Sequence, residues 1–267
     1  MFARNKKEKA EEGFLETLKT VLWALVIAGL FRTLLFQPFW IPSGSMKDTL
    51  LIGDFLFVNK MAYGYSEHSC PFSMCKFIDG RWFGSEPRRG DVIVFRHPGN
   101  GTDFVKRVVG MPGETVQMRG GVLHIDGAPV PLEPVGAFVE TFEPQGPQQI
   151  APRCKDQATV LRGGECVKDA FLETLPGGHV HSVLNVADGV RGLDDTPIYT
   201  VPEGHYFFMG DNRDNSSDSR VQGGGGVGFV PYENLLGRAD RVIFSSAGRR
   251  ILFFWTWRMD RFFEEIV

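Results

Sequence analysis

"TDFVKRVVGMPGETVQMRGGVLHIDGAPV", residues 102–130, is a succession of short runs rich in valine and other apolar residues, broken by Pro-Gly, Gly-Gly and Asp-Gly. Such breaks between short alternating runs are the punctuation of β-hairpins rather than of helices. The same rhythm appears in "GDFLFVNK" (53–60), "RRGDVIVFRHP" (88–98) and "VPEGHYFFMGDN" (201–212). With 32 glycines, 16 prolines and 23 phenylalanines in 267 residues, the chain reads as mainly β. Residues 120–196 differ, being richer in Pro, Gly and acidic residues with weak periodicity. They are expected to form a smaller β-rich insertion between two parts of one catalytic core, 37–119 and 197–250. "QGGGGVG" (222–228) is the one low-complexity patch and is expected to be a flexible loop.

The apolar run "TLKTVLWALVIAGLFRTLLF", residues 17–36, is long enough to cross a ~30 Å hydrocarbon core as a helix. Arg32 lies in its last turns, where a long basic side chain reaches the interface. Arg4, Lys6, Lys7, Lys9 and Lys19 precede or open the run, whereas Lys47 alone is basic in a comparable stretch after it. The positive-inside bias leaves residues 1–16 in the cytoplasm and everything beyond residue 37 outside. "QPFWIPSGS" offers no small-x-small site directly after the run, so the segment is expected to stay as an anchor. At the other end, "ILFFWTWRMDRFFEEIV" (251–267) places Leu252, Trp255, Met259, Phe262 and Ile266 at helical spacing, an amphipathic aromatic segment suited to the core or to a membrane surface. A formal net charge of -3 gives no global attraction to nucleic acid, and no such partner is expected.

Cys70, Cys75, Cys154 and Cys166 all fall on the exported side, where disulfides persist. Cys154 and Cys166 bracket eleven residues that a hairpin could tie across its strands. The spacings are not those of paired CxxC zinc ligands. His179 and His181 could share a strand face, but no third ligand stands at a recognisable distance, so neither a metal nor another cofactor is expected.

Chemistry concentrates in three places. "FWIPSGSMKDTL" (39–50) sets Ser43 and Ser45 just after the apolar run. A serine becomes a nucleophile only beside a base. None of the six histidines lies in a context that marks it for that work. Lysine is the alternative: in "TDFVKRVVG" the strand period puts Lys106 on the face of Phe104 and Val108. A solvated lysine is neutral about once in 2,500 molecules at pH 7, while burial lowers its pKa by several units. Periodicity alone does not choose, since Arg107 adjoins it on the other face. The third place is "GDNRDNSSDSR" (210–220), which lacks the Gly and Glu positions of a calcium hand and carries Ser216 and Gln222 there. Apolar segments on both sides lead this polar loop toward a core.

"PSGSM" after an apolar span, then "GDVIVF", "VKRVVGMPGE" and "GDNRDNSSDSR" in that order, strongly resemble the bacterial type I signal peptidases, membrane-bound serine proteases that remove signal peptides from exported proteins. The likeness spans residues 36 to about 120 and 197 to 245. It implies Ser45 as nucleophile, Lys106 as general base, and an oxyanion hole of the Ser45 N–H with the Ser43 hydroxyl. It further implies that Ser216 hydrogen-bonds the lysine and that Asp218 and Arg220 form a bracing ion pair. An extended substrate would lie as an added strand between Phe39, Ile41 and Pro42 on one side and Phe104 and Val105 on the other. The implied partners are signal peptides, the lipid bilayer and the secretion translocon, at the bacterial inner membrane with a single span. Asp48 stands where a proline is common, glycines 223–226 lengthen a loop, and some relatives have two spans. A specialised processing protease for one secretion or conjugation substrate shares these features. So do, in part, the self-cleaving repressors of the DNA-damage response, although their DNA-binding domain is replaced here by an anchor. An inert membrane-tethered binding protein is the reading from a different class.

Overall fold

The computed structural model describes residues 2–70, 75–223 and 225–267, with side chains from residue 13 onward. The basic side chains Arg4, Lys6, Lys7 and Lys9 and the loop residue Gly224 therefore lie outside the described residues. Helix α1 (Phe2–Leu34) contains one stretch, Gly13–Leu34, long and apolar enough to cross a membrane, and none of it is buried in the protein. The span expected at 17–36 thus ends two residues early. Pro38 disfavours helical geometry at the residue before it, and Phe36 already pairs with Asn59 as β1 (Phe36–Trp40) meets β2 (Asp54–Asn59).

The remaining strands are β3 (Val92–Arg96), β4 (Asp103–Gly110), β5 (Thr115–Arg119), β6 (Val122–Ile125), β7 (Ala128–Pro129), β8 (Leu132–Thr141) and β9 (Glu165–Thr174). They continue with β10 (Val180–Asn185), β11 (Tyr199–Thr200), β12 (His205–Met209), β13 (Val230–Pro231) and β14 (Leu235–Ser245). Seven form the main sheet in the order β1-β2-β14-β3-β4-β12-β13. Bulges in β14 and between β12 and β4 bend it. A four-stranded sheet, β11-β5-β6-β7, starts at residue 115, and a three-stranded sheet, β10-β9-β8, spans 132–185.

One apolar cluster lies under the turn that follows β1: Ile41, Met46 and Leu50 from the turn meet Leu56, Val58, Val92, Val105 and Val242 from the sheet. Burying each such side chain contributes about 1.5–3 kcal/mol, so the turn holding Ser45 is anchored on both sides of the serine. Strand β4, between β3 and β12, is buried from Val105 to Gly110 on both faces. Lys106 and Arg107 are consequently both interior, which a two-residue period could not reveal.

The C-terminal stretch is not a helix. Single 3-10 turns at Phe254–Thr256 and Met259–Arg261 interrupt a chain that runs along β14, with the Val242 N–H donating to the Glu264 carbonyl and the Ile266 N–H to that of Asp240. Sheet partners for the backbone displace the helical alternative, and the expected apolar stripe splits. Leu252, Trp255 and Met259 stay exposed, whereas Ile266 packs on the core and Phe262 on Phe244. Arg258 and Arg261 reach Asp54, Ser245 and the Thr49 carbonyl.

Cys70 is bonded to Cys75, and Cys154 to Cys166. Only Cys166 of the second pair lies on a strand, β9; residues 151–164 are loop, so the bond ties a loop to a sheet rather than two hairpin strands.

Candidate active site

Proline at 42 keeps Ile41 extended, and the chain then turns sharply, the Leu50 N–H donating to the Met46 carbonyl. Ser45 sits inside this turn, buried to 6% exposure. The loop after β12 clamps it: the Asn212 N–H donates to the Ser45 carbonyl, and the Asn212 side-chain amide to the Gly44 carbonyl at 2.9 Å. Gly210 opens that loop, and a β-carbon there would lie 2.6 Å from the Ser45 carbonyl oxygen, so only glycine permits the approach.

From β4, across the cleft, the Lys106 amine comes within 2.6 Å of the Ser45 hydroxyl and donates to its neighbour's carbonyl, Val105, at 2.8 Å. Lys106 is 3% exposed, and its amine stands 5.5 Å from the centre of the Phe104 ring. Burial lowers its pKa to about 8, against the opposing pull of Asp218 and Asp211. The Ser43 hydroxyl lies 3.5 Å from that of Ser45.

Asp218 and Arg220 form the expected ion pair, with Nε to Oδ1 and Nη2 to Oδ2 both at 2.9 Å. Burial would raise the Asp218 pKa; the Arg220 guanidinium outweighs it and holds the carboxylate below its usual range. Asp218 also accepts from the Gly210 N–H, so the pair fixes the loop's entry. The contact expected between Ser216 and Lys106 is not made: the Ser216 hydroxyl has no hydrogen-bond partner and packs beside Gly210.

A second buried pair has no counterpart in the sequence reading. Arg107 grips Asp211 through Nε at 3.0 Å and Nη2 at 2.8 Å, and Thr49 donates to the same carboxylate at 2.5 Å. His179, just before β10, and His181, on it, have ring centres 5.6 Å apart, and His179 Nε2 lies 2.9 Å from the Arg107 guanidinium. Burial first, then Arg107, takes the His181 pKa down to about 2, leaving it neutral. Among the described residues, no group of three His, Cys, Asp or Glu is placed to hold a metal ion.

The cleft beside Ser45 and Lys106 has a volume of about 430 Å3. Phe39 and Pro42 line it from one side and Phe104 and Val105 from β4, the strand of Lys106. Ile41 does not: although Phe39 two residues earlier lines the cleft, β1 ends at Trp40, so the two-residue alternation does not carry over, and Ile41 is 0% exposed in the core beneath. Asp103, Ile150, Asn215 and Ser217 complete the lining. Asn215 and Ser217 lie in the polar loop already singled out; Ile150 carried no signal, since it enters from the 120–196 stretch.

A buried amine within hydrogen-bond reach of a buried serine is an arrangement suited to a serine hydrolase that uses a lysine base. The sequence family described as signal peptidase, peptidase S26, matches residues 14–244, and the chain belongs to that family. A signal peptidase I of Rickettsia typhi is 36% identical over 231 residues, covering 84% of this chain and 78% of that protein. One of Rickettsia prowazekii is 35% identical over 249 residues, covering 91% and 82%. The solved signal peptidase I of Enterococcus faecalis shares 26% identity over 58% of this chain and 97% of its own, with a TM-score of 0.30.

Proposed function

We propose that this protein is a membrane-anchored serine endopeptidase that cleaves signal peptides from exported preproteins. The observation that carries this reading is the 2.6 Å approach of the buried Lys106 amine to the Ser45 hydroxyl. Neutral Lys106 accepts the Ser45 proton as the oxygen attacks the scissile carbonyl. The resulting oxyanion is met by the Ser45 N–H and the Ser43 hydroxyl. Lysinium then protonates the departing amine, leaving an acyl ester on Ser45, and water that loses its proton to Lys106 releases the signal peptide and restores the serine. Val105, accepting from the amine, aims its lone pair at Ser45. Asp218 with Arg220 keeps the loop in register, and Ser216 has an orienting role only if it turns toward Lys106 when substrate binds.

Helix α1 would hold the enzyme in the bacterial inner membrane with its N-terminus cytoplasmic, following the basic residues before its apolar stretch. The catalytic part then lies outside, where both disulfides persist and where preproteins emerge from the translocon. Incubating the detergent-solubilised full-length protein with an unrelated preprotein tests the reading. Release of the mature protein by wild type and not by Ser45→Ala is expected. Cleavage of one cognate substrate alone would instead mark a specialised processing protease.

A further inference from the structure

Lys47 is two residues from the nucleophile, yet its side chain runs away from the cleft and is 2% exposed. Its stem lies along Gly44, whose β-carbon, if present, would be 3.3 Å from the lysine Cε. Its amine bonds Glu140 at the end of β8 at 2.5 Å and the Gln145 side-chain oxygen at 2.9 Å. The Gln145 amide returns to Glu140 at 2.6 Å, and Lys168 of β9 holds the other Glu140 oxygen. Burial alone would raise the Glu140 pKa; the two lysines reverse this and keep it a carboxylate. Gln145 in turn exchanges both backbone hydrogen bonds with Ile150. Between them, Gly146 has φ +64° and sits where a β-carbon would be 2.7 Å from Ile52 of the core. The loop is therefore seated on the catalytic core at its tip and pinned to the nucleophile turn at its base, and it delivers Ile150 to the cleft wall.

We infer that Ile150 is a specificity-determining wall of the substrate cleft and that Lys47, through Glu140 and Gln145, is the positioning residue that holds it there. The inference rests on the peptidase reading above. A substrate strand alternates its side chains, so Ile150 meets one substrate position and limits the size accepted at that position alone. Buried charges that lose a partner become costly, which makes the Lys47 tether rigid rather than adjustable.

The test uses the full-length protein in detergent and preproteins varied singly at the first, second and third residues before the scissile bond, with kcat/KM for each. Ile150→Ala is expected to improve large residues over small by about tenfold at one of these positions and to leave the others unchanged. Ile150→Trp should shift the same position in the opposite direction. Lys47→Met, which keeps length and removes the tether, should reproduce the Ile150→Ala preference; its melting temperature reports any loss of folding. Unaltered discrimination in both Ile150 variants, or a uniform fall for every substrate, would overturn the wall. A Lys47→Met enzyme that is folded and retains wild-type preferences would overturn the tether. Wild-type protein that cuts no preprotein defeats the peptidase reading itself, an outcome distinct from a discriminating enzyme indifferent to Ile150.

Discussion

Arg107 and Asp211 form a bidentate ion pair in which the side chains are 0% and 1% exposed. The pair links the residue after Lys106 to the residue after Gly210 in the loop clamping Ser45, so it bears on the alignment of Lys106 with Ser45. Arg107→Met leaves the Asp211 carboxylate buried without its partner. Removing one member of a buried pair costs about 3–5 kcal/mol. The expected result is a large fall in melting temperature for Arg107→Met and for Asp211→Asn, measured by thermal unfolding of the solubilised protein. A double replacement should cost less than the sum of the two, because the second removes the orphaned charge.

Activity should climb with pH through about 8. On the proposed mechanism the base is neutral Lys106, and burial places its pKa near that value. A pH profile of kcat/KM on one preprotein is expected to show a single basic limb there. A limb near 6.5 would assign the proton to a histidine instead.

The same burial makes Lys106 a cost to the fold. Its folded pKa, about 8, lies below the ordinary 10.5, so between these values the unfolded chain binds more protons and stability rises with pH. Below pH 8 the full penalty applies, about 3 kcal/mol from the gap between the two values. Lys106→Met should be inactive yet more stable than wild type at pH 7, with the advantage shrinking toward pH 10. Denaturant titration at both pH values measures this, and an advantage that does not depend on pH would contradict it.

Ser43→Ala should lower kcat about 100-fold to 1,000-fold with little change in KM, the loss typical of one oxyanion donor. The hydroxyl lies 3.5 Å from the nucleophile, beside it rather than in a bond that holds the ground state together. Steady-state kinetics on a fixed preprotein separate the two constants. A change confined to KM would return Ser43 to a binding role.

The order of the motifs, the apolar span and the turn-broken alternating runs were legible in the chain itself, because helix and hairpin signals are local. Pairing Ser45 with Lys106, and Asp218 with Arg220, was legible only through family resemblance. Whether Lys106 is buried was not. Strand β4 lies inside the sheet with both faces covered, so alternation carries no information, and Lys106 and Arg107 are buried alike. The removal of Ile41 from the cleft, the arrival of Ile150 and the Lys47–Glu140 bond depend on contacts between segments 93 residues apart or more, set by how the sheets dock. The C-terminal stretch kept a helical spacing in sequence and lost it in the fold, since backbone partners on β14 outweighed a short amphipathic pattern. Local sequence together with family resemblance thus named the candidate groups. Only the tertiary structure decided their protonation, their alignment and the walls around them, because each depends on which distant segment excludes water from the site.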